Sequence, residues 1–196
     1  MFRKFACLLS FLAVLVVSGC TTTTEGEPQV TRQDQIGQLA EGILALGPDV
    51  DPEEAARAAR IAYEYTSQLA VEYQITDSAI IHNMKVNQGL RPRGLCWHWA
   101  EDMENRLKQE NFQTLEMHRA IANARNPFRL EHSTAIVSRR GDSMHDGVVL
   151  DPWRYGGVLH WAPTLEDTRY TWRPRLEVLE EKRQRRMKRG LRLLES

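Results

Sequence analysis

Bulk properties exclude more than they assign. The 26 basic and 26 acidic side chains cancel, so no excess of positive charge points to nucleic acid. No internal repeat is present, which removes solenoid and propeller architectures. Three cysteines are too few for a disulfide framework. Cys96, His98 and His118 lack any recognised metal-ligand spacing, and no metal or cofactor is expected. The apolar run from Phe5 to Val17 is, at roughly a dozen residues, too short to span a bilayer comfortably. What remains is 196 residues, 42% hydrophobic and 27% charged, enough for one globular domain with a real core and appendages.

The short apolar run follows Arg3 and Lys4 and ends in Val17-Ser18-Gly19-Cys20. A basic start and an apolar stretch before small residues read as a secretory signal. The final four residues resemble a bacterial lipobox, which implies cleavage after residue 19 and lipidation of Cys20. Thr21 stands where inner-membrane retention usually has Asp, so the resemblance implies an outer-membrane lipoprotein facing the periplasm. Loss of Arg3 and Lys4 leaves 24 basic residues against 26 acidic ones, a mature chain near neutrality. Residues 20–31 are polar and aperiodic and read as a flexible tether.

A domain is expected over 32–175. Ile36, Leu39, Ile43 and Leu46 recur at helical spacing and stop near Gly47-Pro48. Asp51 is placed to cap a second helix, with Pro52 at its first position and Glu53 and Glu54 favouring the dipole's positive end. Ala55, Ala59, Ala62, Thr66, Leu69 and Tyr73 form the inner stripe of that helix. Residues 76–94 carry Asn83, Asn87, Gly89, Pro92 and Gly94 and read as irregular. Trp97, Ala100, Met103 and Leu107 then resume helical spacing, which sets Cys96 at a helix N-terminus. Leu115 and Met117 suggest a weak strand, and 120–129 a loop. Residues 176–196 read as a basic C-terminal helix or tail, solvated in preference to docked on a membrane or partner.

With Cys7 in the signal and Cys20 lipidated, Cys96 is the one free thiol of the mature chain. It has no disulfide partner in an oxidising compartment, so keeping it there suggests chemistry. Amide N–H groups at a helix start are expected to lower its pKa and to stabilise an oxyanion. Two β-branched runs, His132–Val137 and Gly147–Asp151, flank the turn signal Arg140-Gly141-Asp142. A turn centred on Gly141-Asp142 pairs residues whose numbers sum to 283, and so sets His132 opposite Asp151 with Cβ atoms roughly 5 Å apart. His145-Asp146-Gly147 is a source of register slip. The order Cys96, His132, Asp151 supplies a nucleophile, a general base and a residue to orient it. His98, two residues along the helix from Cys96, faces elsewhere.

Gly94-Leu95-Cys96-Trp97-His98-Trp99-Ala100, Glu131-His132-Ser133-Thr134 and Val149-Leu150-Asp151-Pro152-Trp153 together resemble the transglutaminase-like superfamily of papain-type cysteine enzymes, and more narrowly its bacterial lipoprotein branch. The resemblance spans about Ile81 to Trp161. It implies an α+β papain-like core, helices packed against a small antiparallel sheet, with Cys96 as nucleophile, His132 as base and Asp151 as orienter. The oxyanion donors it suggests are the Cys96 backbone amide with Trp97 or Gln88. Spacings of 36 and 19 residues between the three positions are far shorter than the roughly 130 of papain itself. Leu95 and Trp97-His98 also depart from the Asp before and Ser-Gly after the cysteine that are usual in periplasmic peptidoglycan peptidases.

Two functions are carried forward. One is a membrane-tethered cysteine enzyme acting on amide bonds of a peptide or protein substrate in the cell envelope. The other is a non-catalytic lipoprotein that uses the fold to bind envelope protein or cell wall. Trp97, Trp99, Trp153 and Trp161 either line a cleft or fill the core.

Overall fold

A computed structural model describes residues 30–194, with side chains through residue 190. The expected signal peptide, Cys20 and the tether up to residue 29 lie outside the described residues. Among those described, the chain is α+β. Its helices are α1 (Arg32–Leu44), α2 (Pro52–Glu72), α3 (Ala79–Asn87), α4 (Cys96–Lys108) and α5 (Arg175–Leu194). The strands β1 (Leu115–Ala122), β2 (His132–Arg139), β3 (Val148–Asp151), β4 (His160–Pro163) and β5 (Arg173–Pro174) form one antiparallel sheet in the order β4-β3-β2-β1-β5.

The capping chemistry of the two leading helices explains where they begin. Thr31 and Asp34 exchange bonds in a capping box at α1. Asp51 accepts from the backbone N–H groups of Glu53 and Glu54 at α2. The expected stripe is inward-facing throughout: Ala55, Ala59, Ala62, Thr66, Leu69 and Tyr73 are all buried. Its small side chains let α1 and α4 approach closely. With Met103 and Leu107 of α4 they cover the sheet face that carries Leu115, Val137, Val148 and Leu150. The opposite face carries Ala120, Ala122, Ile136 and Val149 and is covered by Met144, Tyr170 and Trp172.

Three stretches depart from the sequence-based reading. Residues 79–87, expected to be irregular, form α3. Only Ala79 and His82 of that helix are buried, while Ile80, Ile81 and Met84 face solvent, so it has no apolar stripe to reveal it. Asn83, read there as a breaker, sits inside α3 and accepts a hydrogen bond from the Trp153 indole at 3.0 Å. Strand β1 runs on through Ala120 to Ala122, because pairing with β2 on one side and β5 on the other overrides a weak local pattern. Val158-Leu159-His160-Trp161, whose apolar pattern suggests a further strand, enters the sheet only from His160, and β4 spans His160–Pro163.

The β2–β3 pairing is offset from the expected register. Ala135 faces Leu150 and Val137 faces Val148, so paired numbers sum to 285. The source is the enlarged connection: a 3-10 turn at Met144–Asp146 follows Ser143, whose hydroxyl accepts from the His145 N–H. Side chains alternate with a period of two, so a shift of two keeps every residue on its expected face. His132 and Asp151 thus share a face as diagonal neighbours, a separation that an imidazole and a carboxylate can span.

The C-terminal helix is anchored along its first half. Val178 is buried, Glu181 pairs with Arg125 and Arg173, and Lys182 pairs with Glu131.

The approach to α4 is built around Gly94. Its φ is +120°, and a Cβ there would fall inside the van der Waals envelope of the His82 ring. The Trp99 indole donates to its carbonyl at 3.0 Å, and His82 Nε2 lies 2.9 Å from the preceding carbonyl of Arg93. Gly94→Ala is therefore expected to cost about 2–4 kcal/mol through overlap and backbone strain. Urea unfolding measures it, and a loss below about 0.5 kcal/mol would contradict this packing.

Candidate active site

Helix α4 begins at Cys96 without a side-chain cap. Leu95 is its N-cap residue, and the Leu95 carbonyl accepts the N–H groups of His98 and Trp99. The amides of Cys96 and Trp97 belong to the first turn, where an α-helix offers no internal acceptor. The Trp97 N–H is close enough to the Cys96 sulfur to favour its anionic form. Gln88, the other proposed donor, is the exposed C-cap of α3, and its side chain bonds to no described residue. At Trp97 only the backbone N–H is near the sulfur, since its indole is exposed and leans on His98.

His98 has a structural task. Its Nδ1 accepts the backbone N–H groups of Gly94 and Leu95 at 3.1 and 3.2 Å. Burial pulls its pKa down to about 4, which keeps the ring neutral and able to accept. It is buried, and it fixes the loop that delivers Cys96. His118 is on β1 with Nε2 2.8 Å from the Ser138 hydroxyl. Cys96, His98 and His118 thus have separate partners. No cluster of three metal-ligating side chains occurs among the described residues.

The thiol lies where α4 meets the start of β2. Its sulfur is 3.8 Å from the Glu131 carbonyl, and the Ser133 backbone N–H also approaches it. Those two residues bracket His132. The His132 ring is 1% exposed and its Nε2 is 2.7 Å from Asp151 Oδ2. Its Nδ1 is buried and has no hydrogen-bond partner. Trp153, Tyr170 and Trp172 surround the ring, with centroids 4.5, 4.7 and 5.3 Å away. Trp153 belongs to the same apolar cluster as Cys96, and Tyr170 and Trp172 to the cluster on the far side of the sheet. His132 therefore stands at the junction of the two cores.

Asp151 is 1% exposed and serves more than one donor. Besides His132, it accepts from Arg154 Nε at 2.9 Å and from the Arg154 backbone N–H at 3.1 Å. Burial pushes its carboxyl upward, but the charges and hydrogen bonds of His132 and Arg154 together outweigh that and hold it below the usual range. The rest of the Arg154 guanidinium grips Asp167 with contacts of 3.0 and 2.5 Å, and Trp172 Nε1 donates to Asp167 at 2.9 Å. Arg154, Asp167, Tyr170 and Trp172 had no signal in the sequence. Arg154 follows Asp151 by three residues in a turn, a hint at most, and nothing in spacing connects Asp167 to either.

At Cys96 two effects compete. The helix N-terminus favours a thiolate, as expected from sequence. Burial opposes it and is larger, so the thiol is pushed up to about 11. The adjacent Ser133 and Trp97 amides offset only part of that, and the Asp151 and Glu131 charges add to it. The expectation of a low thiol pKa is therefore corrected: the resting sulfur is protonated at neutral pH.

A folded-state pKa above that of an unfolded cysteine has a defined consequence. The native protein keeps a proton that the unfolded chain releases from roughly pH 8.5 upward, so this stabilisation is complete below that pH and is lost as pH rises toward 11. Between pH 8 and 11 the unfolding free energy should fall by about 2–3 kcal/mol more in the natural chain than in Cys96→Ala. Parallel pH curves for the two proteins would show that the thiol is not held protonated.

Compared with known proteins, the chain matches no family model, no curated protein and no solved structure.

Proposed function

We propose that this chain is a cysteine enzyme of transglutaminase-like type, with a papain-like arrangement of its α+β core. In this reading Cys20 anchors it to the outer membrane facing the periplasm, and it acts on amide bonds of peptides or proteins in the cell envelope. One observation carries the catalytic part. The buried His132 has Nε2 committed to Asp151, an unpartnered Nδ1, and a thiol beside the two residues that flank it.

The chemistry follows from that asymmetry. His132 takes the Cys96 proton on Nδ1 as the sulfur attacks the substrate carbonyl carbon, forming a C–S bond and placing negative charge on the carbonyl oxygen. The free amides at the start of α4 are the donors available to that oxyanion. Collapse breaks the C–N bond, and His132 returns the proton to the leaving amine. A thioester remains on Cys96. Water, or a second amine, then attacks it with His132 again as base, and the thiol is regenerated. Because the resting sulfur is protonated, proton removal accompanies attack instead of preceding it. In its neutral form, His132 leaves the buried group of Asp151, Asp167 and Arg154 with one net negative charge, and the proton it accepts brings that group to neutrality.

Burial of the thiol favours a second reading, in which the same fold is a non-catalytic binding module. One experiment separates the two. The full chain is treated with p-nitrophenyl acetate, and acetylation is read on the Cys96 peptide by mass spectrometry alongside nitrophenolate release. The enzyme reading expects acetylation at Cys96, slowed about 10²–10⁴-fold in His132→Gln, with thermal unfolding of the variant confirming that it is folded. Equal rates with and without the imidazole, or no acetylation, would leave the binding module.

A further inference from the structure

Two of the three aromatic rings that pack on His132 also form part of the wall of a groove. Trp153 and Tyr170 line it together with Ala79, Ile80 and Leu130, and its volume is about 300 Å³. Three arginines reach it as well. Arg154 is consumed by Asp151 and Asp167. Arg129 and Arg169 are different, for among the described residues neither meets a carboxylate. Both are exposed, and Arg129 Nη2 donates to the Arg169 carbonyl at 2.8 Å. Both guanidinium carbons lie near the Tyr170 ring, 5.4 and 5.8 Å from its centroid. The groove thus presents two uncompensated cations on an apolar wall, in a chain whose charges balance overall. Arg125 and Arg173, by contrast, both bind Glu181. A pair of like charges without a counter-ion favours whatever anion enters.

We propose that this groove is the substrate subsite of the Cys96–His132 centre and that it takes a carboxylate, so that the substrate is a peptide with an acidic group close to the scissile amide and an apolar neighbour. This rests on the catalytic reading above, and Trp153 links the two places, since it packs on the His132 ring and shares an apolar cluster with Cys96. Arg129 and Arg169 bind the carboxylate, and the apolar wall of Ile80, Leu130 and Trp153 takes the neighbouring side chain.

A pair of small alkylating agents tests the charge preference before any natural substrate is known. Iodoacetate and iodoacetamide both transfer a two-carbon unit to sulfur and expel iodide, but only the first carries a carboxylate. Their rates at Cys96 are compared in the full chain at pH 9 and low ionic strength, by mass spectrometry of the Cys96 peptide. The ratio of iodoacetate to iodoacetamide rate should fall about tenfold in Arg129→Ala/Arg169→Ala. It should be largely kept in Arg129→Lys/Arg169→Lys, and should fall in the natural chain as salt is raised to 1 M. A ratio that the alanine pair and salt leave unchanged overturns the subsite while the His132-dependent acetylation still stands. Loss of that dependence overturns the catalytic reading and the subsite with it, whatever the ratio.

Discussion

A buried carboxylate organises the candidate site. Asp151 ends β3 almost wholly withdrawn from water, and an isolated charge in that position would cost several kcal/mol. Its oxygens are served by His132, by the Arg154 side chain and by the Arg154 backbone, and Arg154 is in turn held by Asp167. Arg154 is the one cation common to both carboxylates, and losing it would leave Asp151 and Asp167 buried without a positive partner, which is why the turn after β3 and the segment around Asp167 must close together. The imidazole is fixed as a consequence. Its Nε2 is engaged, three aromatic rings limit its rotation, and only Nδ1 remains for chemistry.

The cysteine is positioned by a separate and more local device. Gly94 turns the chain in a conformation that other residues rarely adopt, His98 gathers the two amides before the helix, and Trp99 ties back the Gly94 carbonyl. These contacts place Cys96 at the first turn of α4, where free N–H groups favour negative charge. Burial nevertheless dominates at the sulfur. In the proposed mechanism the proton therefore leaves only as a new bond forms, and the protonated thiol is less exposed to oxidation than a standing thiolate.

Much of the arrangement was legible in the chain because its causes are local. The inner stripe of α2, the Asp51 cap and the start of α4 follow from spacing and capping chemistry within a few residues. The pairing of His132 with Asp151 was legible for a subtler reason. The register estimate was off by two, but face depends only on parity, so the two side chains met as diagonal instead of opposed neighbours. What escaped was set by tertiary contact. Helix α3 has little buried face, β1 is lengthened by its two neighbours, and Arg154 finds Asp167 thirteen residues on through a loop with no periodic pattern. The thiol pKa escaped for the same reason, since desolvation depends on what covers the sulfur.

The central claim is that Asp151 commits one imidazole nitrogen of His132 and leaves the other to Cys96. Nitrogen-15 NMR of the His132 ring, at a pH where it is neutral, tests this directly. The account predicts a proton on Nε2, strongly deshielded by Asp151 and shifted by Asp151→Asn, with Nδ1 bare. A proton residing on Nδ1 would contradict it.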